Sequence, residues 1–316
     1  MHHTPRFITD AQGTGSLPMQ RIAASGGAEV WVRAASGVIP LYLHPKGDLL
    51  GSPAQLLVLL NGAVDLSVSG GRPVFQRSTW AEDFPVHVVN VCDPGTVGPN
   101  ALPLAWGQVD TGNWIVPDVL HALRVMSESL GVQGPEGRTY FGSSAGGFLA
   151  TQMAVHDIGA RAVVNNAQVD WTRWMAPAVK LATQRLFGGM YPKTIRTKLA
   201  TRANFLDAIV ERGHPQNLEY WVNIESRHDR TVDLPQIRDF IRRHPELSKN
   251  FLIRVYTDAI AGHNPLDRKT TVRLLNGSLA AQHCEEESMD HTLRFDEPHR
   301  SESLAVLDGI VPQASP

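Results

Sequence analysis

The run Gly142-Ser143-Ser144-Ala145-Gly146-Gly147 is the part of this sequence best suited to covalent chemistry. A serine hydroxyl can serve as a nucleophile when a sharp strand-to-helix turn presents it in the pattern G-x-S-x-G. Apolar Tyr140-Phe141 precedes the run and a helical pattern follows it, so the motif sits in the setting that gives it meaning. Such a turn strains the serine backbone, and small residues two before and two after it let strand and helix pass closely. That requirement selects Ser144, flanked by Gly142 and Gly146, over Ser143, whose flanking positions would be Phe141 and Ala145. A helix starting just after Ser144 leaves its first N–H groups unpaired, which makes the Ala145 N–H a natural oxyanion donor. The bland alternative is a Gly/Ser turn that joins a strand to a helix and does no chemistry.

The elements that must position such a serine alternate in kind. Apolar runs predict strands at Glu29–Arg33, Ile39–Leu43, Leu56–Leu60, Val86–Val91, Thr139–Phe141, Arg161–Asn165, Leu218–Ile224 and Phe251–Tyr256. Several are apolar almost throughout, as expected of strands covered on both faces. Val119, Leu120, Leu123, Met126 and Leu130 fall at helical spacing, and Phe148–Val155 reads as the helix after the serine turn. Strands alternating with helices imply an α/β fold with a mostly parallel central sheet. Residues 1–280 are read as one such domain. From Trp171 to Pro215 the pattern turns helical for longer than an ordinary β–α connection, so 171–215 is read as an inserted helical lid. Residues 281–316 are read as a C-terminal extension.

Over most of Glu29 to Leu279 the chain resembles the α/β-hydrolase superfamily, on the strength of the elbow string and its strand–turn–helix setting. The short string Tyr-Phe-Gly-Ser-Ser-Ala-Gly-Gly-Phe is also similar, over that stretch alone, to bacterial capsule- and export-accessory proteins with hydrolase folds. The resemblance implies the chain order Ser, acid, His. It places the base after the last strand, where His263 lies in Ala261-Gly262-His263-Asn264-Pro265-Leu266 ahead of a helical pattern. Of the 13 histidines, this one combines the chain order with a strand–loop–helix setting. His87, His121 and His156 fall in a strand or helices, and His283, His291 and His299 in the tail. The acid is expected after the strand ending at Ile224. Asp229 is favoured there, with Glu225 and Asp233 as substitutes and Asp170 as a distant one. The resemblance also implies a second oxyanion N–H after Leu56–Leu60. The matching residue is Ala63, with Gly62 next, in an Asn-Gly-Ala that keeps the glycine of the relatives' His-Gly-X but not its histidine. Asn-Gly can equally be a plain turn.

Composition excludes much else. The 316 residues carry a formal charge of −2, so nothing recruits nucleic acid. Two cysteines, Cys92 and Cys284, imply no disulfide framework. No N-terminal apolar segment reads as a signal peptide and no run is long enough to span a membrane, so a soluble, cytoplasmic protein is expected. No dinucleotide fingerprint or P-loop is present, and the spacing of His283, Cys284, Asp290 and His291 fits no zinc pattern, so neither cofactor nor metal is expected. Trp171, Trp174 and Met175 can pack the lid on the core or wall an acyl pocket, and Trp106 and Trp114 can border the cleft. The resulting expectation is a serine hydrolase that cleaves a carboxylic ester of a small acyl substrate. Acyl transfer, and a non-catalytic accessory role, are the alternatives. The oligomeric state is not legible.

Overall fold

The computed structural model describes residues 4–50 and 54–287, with side chains through 281. Its centre is a nine-stranded sheet of β1 (Arg6–Asp10), β2 (Ala28–Ala34), β3 (Gly37–His44), β4 (Leu56–Leu60), β5 (His87–Val91), β6 (Arg138–Ser143), β7 (Arg161–Asn165), β8 (Asn217–Asn223) and β9 (Phe251–Tyr256). The spatial order is β1-β2-β3-β5-β4-β6-β7-β8-β9. From β5 to β9 all neighbours are parallel, while β3 pairs antiparallel with both β2 and β5. Every residue of β4, β5 and β6 is buried, and in β4 burial on both faces gives an unbroken apolar run rather than an alternating one.

The edge strand β1 is absent from the sequence reading, and its burial pattern shows why. No residue of Arg6–Asp10 is buried, so there is no apolar face to read. The strand exists because it pairs in parallel with β2, aided by an Arg6–Glu29 ion pair at 2.7 Å.

The helices Val116–Ser129 and Ala145–His156 follow β5 and β6. The second is buried at every position from Ala145 to Val155, so no amphipathic pattern marks it. Residues 171–215, between β7 and β8, hold a short turn and the helices Ala176–Leu186, Pro192–Lys198, Ala200–Ala203 and Phe205–Arg212. The segment Asp229–Asp233, beyond β8, is a π-helical turn leading directly into Leu234–Arg243. Helix Arg268–Glu287 ends the described chain. Its residues from Gly277 onward belong to a second unit, 277–316, whose described part is helical. The proposed extension therefore falls mostly outside the described residues, as do Asp290, His291 and His299 and the side chains of His283 and Cys284. Among the described residues no helix is long and apolar enough to cross a membrane.

Candidate active site

The sharp turn is present where β6 meets its helix. Ser144 has φ 56° and ψ −123°, a conformation that costs an L-residue of order 1–3 kcal/mol and persists only when its surroundings enforce it. They do so by close approach. A methyl group at 142 would lie 2.2 Å from the backbone of Gly146, and one at 146 would lie 2.6 Å from the Leu60 carbonyl oxygen. Both glycines are thus required by contact, one between strand and helix, the other between helix and β4.

The serine hydroxyl faces an imidazole 119 residues further along the chain. Ser144 Oγ lies 2.9 Å from His263 Nε2, and His263 Nδ1 lies 2.8 Å from Asp229 Oδ2 and 3.1 Å from Oδ1. The three side chains come from the ends of β6, β8 and β9, at the carboxyl edge where parallel sheets collect their sites. Asp229 is fully buried at the start of the π turn, whereas the imidazole is about a quarter exposed.

The other carboxylates named from sequence do different work. Glu225 is exposed. Asp170 caps the following turn through the N–H and hydroxyl of Thr172 and pairs with Arg173. Asp233 accepts the Val169 N–H at 2.9 Å and faces His228 Nε2 at 3.4 Å. Burial pushes the Asp233 carboxyl well above the usual carboxylate range and lowers His228 below the ordinary imidazole value. The rival histidines have ordinary roles. His87 accepts the Lys46 N–H and bonds the Leu130 carbonyl, and burial drives His156 to about 4.

The two residues read as oxyanion donors lie in the turn after β4 and at the first position of the helix after β6. The Ala63 and Ala145 N–H groups find no acceptor among the described residues, whereas Gly62 N–H is taken by Gln76 Oε1. Gln76 also donates to the Ala63 carbonyl at 2.8 Å and so binds the peptides on either side of the one that carries the Ala63 N–H. A methyl group at Gly62 would approach the Ser143 carbonyl to 3.2 Å, which measures how tightly the Asn61–Ala63 turn sits on the elbow.

Several residues here were not found from sequence. Gln168, three residues past β7, donates from Nε2 to Ser144 Oγ at 3.0 Å while its Oε1 accepts from Trp106 Nε1. Arg77 Nη2 donates to Ser143 Oγ at 2.7 Å, and its guanidinium lies over Phe141 and Trp80 with no carboxylate partner among the described residues. Asn165, Asn166 and Asn223 bond the loop that carries His263. One signal was available: the polar residues Asn165, Asn166 and Gln168 at the end of a buried strand, next in the sheet to the serine's own strand.

The tryptophans divide between the two roles considered for them. Trp171 is fully buried, stacked between Trp106 at 5.1 Å and Phe187 at 5.6 Å, so it packs the helical segment after β7 against Trp106. Trp174 lies against the imidazole of His263, with ring centroids 4.4 Å apart, and against His228 on another side. Among the described residues no three His, Cys, Asp or Glu side chains cluster as a metal site would require.

No family model matches the sequence, and no curated protein matches it. Its likeness is to solved structures. The dipeptidyl peptidase 4 of Porphyromonas gingivalis superposes with a TM-score of 0.56 at 13% identity, over 81% of this chain and 35% of that one, so the chain spans about a third of the peptidase. The capsule O-acetyltransferase of Neisseria meningitidis serogroup A gives 0.52 at 10% identity, over 77% and 94% of the two chains. Esterase 2 of Thermogutta terrifontis, in a structure phosphoramylated by tabun, gives 0.51 at 15% identity over 81% and 94%. The chain has an α/β-hydrolase fold. At these identities the likeness defines the fold, and the chemistry must be argued from the side chains.

Proposed function

We propose that this protein is a serine hydrolase that cleaves a carboxylic ester through an acyl-enzyme. The observation that supports this most is the continuous hydrogen-bonded path from Ser144 Oγ through His263 to the buried Asp229. In this reading the Oγ proton passes to His263 Nε2 as Oγ bonds to the substrate's carbonyl carbon. The carbonyl electrons move onto oxygen, to which the N–H groups of Ala63 and Ala145 donate hydrogen bonds. The carbon–oxygen bond to the leaving alcohol then breaks, and His263 returns the proton to that oxygen. Water repeats the sequence on the acyl-enzyme and releases the acid. Asp229 holds the imidazole in the required tautomer and stabilises its cation without taking the proton. Each oxyanion donor in such a site is worth about 3 kcal/mol of barrier. No cofactor enters the scheme.

Acyl transfer to an alcohol is the second reading, favoured by the likeness of nearly the whole meningococcal capsule O-acetyltransferase to this chain. It differs only in which hydroxyl attacks the acyl-enzyme. Nitrophenyl esters of graded acyl length, with and without a competing alcohol, separate the two by their products. Stoichiometric labelling of wild type by a fluorophosphonate, abolished in Ser144→Ala, is the expected result. An unlabelled folded wild type would sink both readings.

A further inference from the structure

Gln168 is fully buried and bound twice to the same residue. Its backbone N–H donates to the Ser144 carbonyl at 3.3 Å, and its side-chain Nε2 donates to Ser144 Oγ at 3.0 Å. A free glutamine amide can turn either its oxygen or its nitrogen toward a hydroxyl. Here Trp106 removes the choice, because an indole N–H can only donate and it donates to Gln168 Oε1. Trp106 is itself fixed. It is buried, has φ 53°, and is stacked on Trp171, which in turn stacks on Phe187. The amide nitrogen is therefore held toward the hydroxyl by a rigid aromatic stack, a role that the Ser–His–Asp path leaves unassigned.

Given the reading of Ser144 as nucleophile, we infer that Gln168 is a further catalytic residue, a fixed N–H donor to Oγ that acts mainly when Oγ departs from the acyl group. In the resting site Oγ accepts from Gln168, which leaves its own proton directed at His263 Nε2. In deacylation the oxygen of water, or of an alcohol, bonds to the acyl carbon and gives its proton to His263. The tetrahedral adduct collapses by breaking the bond between that carbon and Oγ. The electron pair goes to Oγ, which recovers its proton from His263 Nε2. Negative charge grows on Oγ in this step, and a hydrogen bond to a developing charge is stronger than one to a neutral hydroxyl. In acylation the same donor helps less, because it also holds back the lone pair that must attack.

The test uses full-length protein and 4-nitrophenyl acetate, with the pre-steady-state burst reporting acylation and the later rate reporting deacylation. Gln168→Met keeps the shape without the donor. Its deacylation is expected to fall about 10- to 100-fold, the effect of one hydrogen bond to a developing charge, with a smaller fall in acylation. Trp106→Phe, which frees the amide to turn, should move the same way by less. Gln168→Glu adds a readout that a purely structural role would not move. Its rate relative to wild type should climb as pH falls, because only the protonated carboxyl offers Oγ a donor. Unchanged deacylation in Gln168→Met, or an equal fall in both steps, overturns the inference. Should that variant not fold, a pH-independent ratio for Gln168→Glu overturns it instead. Turnover by Ser144→Ala would defeat the serine reading itself. An inactive Ser144→Ala beside a Gln168→Met of full activity would defeat this inference alone.

Discussion

The Asn166 side-chain oxygen accepts the backbone N–H of Asn223 at 2.8 Å, joining the ends of β7 and β8 at the edge where the candidate site stands. From that junction both carboxamides reach the loop bearing the imidazole. Asn166 Nδ2 donates to the carbonyls of His263 and Asn264, at 3.3 and 3.2 Å, and Asn223 Nδ2 to those of Asp258 and Gly262, at 2.7 and 2.8 Å. The loop holds no helix or strand, only short turns, so these bonds help set where its imidazole stands. Asn223→Ala should lower kcat by roughly 100-fold through misplacement of His263, with KM little changed. Steady-state kinetics on 4-nitrophenyl acetate would measure it, and an unaltered kcat would show that the loop holds its shape unaided.

Two aspartates of one π turn should respond oppositely to the same substitution. Asp229→Asn removes the charge that orients His263 and should cost on the order of 10⁴-fold in kcat. Asp233 accepts one N–H and faces an imidazole nitrogen, and an asparagine supplies both an acceptor and a donor. Asp233→Asn should therefore keep its activity and melt near wild type. The reverse ranking of the two variants would reassign the acid.

At the other end of β6, Arg138 Nε donates to Asp157 Oδ2 at 2.6 Å, and the Tyr140 hydroxyl donates to the same oxygen at 2.7 Å. Both ionic side chains are buried, at 5% and 2% exposure. Asp157→Ala strands the guanidinium and should lower stability by about 3–5 kcal/mol. Urea unfolding would measure that loss. Ser144 at the far end of the strand should still take a fluorophosphonate while the variant stays folded.

Acid should weaken the fold through two partly buried histidines. Burial lowers His44 and His156 from 6.5 to about 4, so both are neutral in the native state while the unfolded chain protonates first. Their stability contribution is complete above about 6.5 and is lost as pH falls toward 4. Asp93 has the opposite sign. Desolvation raises it to about 6, so its contribution is present at low pH and lost as pH rises through 6. Comparing melting profiles of wild type and His44→Gln isolates the histidine's share, and the variant's profile should be the flatter between pH 6.5 and 4.

The sequence was legible wherever local chemistry left little choice. Buried parallel strands read as apolar runs, and β4, β7 and β9 coincide with their sequence-based ranges. The flanking glycines separated Ser144 from Ser143, because only small residues survive the approach of strand, helix and neighbouring loop. Chain order and the superfamily resemblance pointed to His263 and favoured Asp229. Edge strand β1 stayed hidden because its stability lies in pairing rather than in an apolar face.

What needed the tertiary structure was everything fixed by contacts between distant segments. Glu225, Asp229 and Asp233 are alike as a string, and packing alone exposes the first, aims the second at His263 and turns the third to the Val169 N–H. Gln168 reads as an ordinary loop amide until Trp106, 62 residues away, fixes which of its ends meets the serine. A sequence lists the donors and acceptors a chain can offer. Which of them meet depends on how the fold closes, since a hydrogen bond is decided by distances of tenths of an ångström.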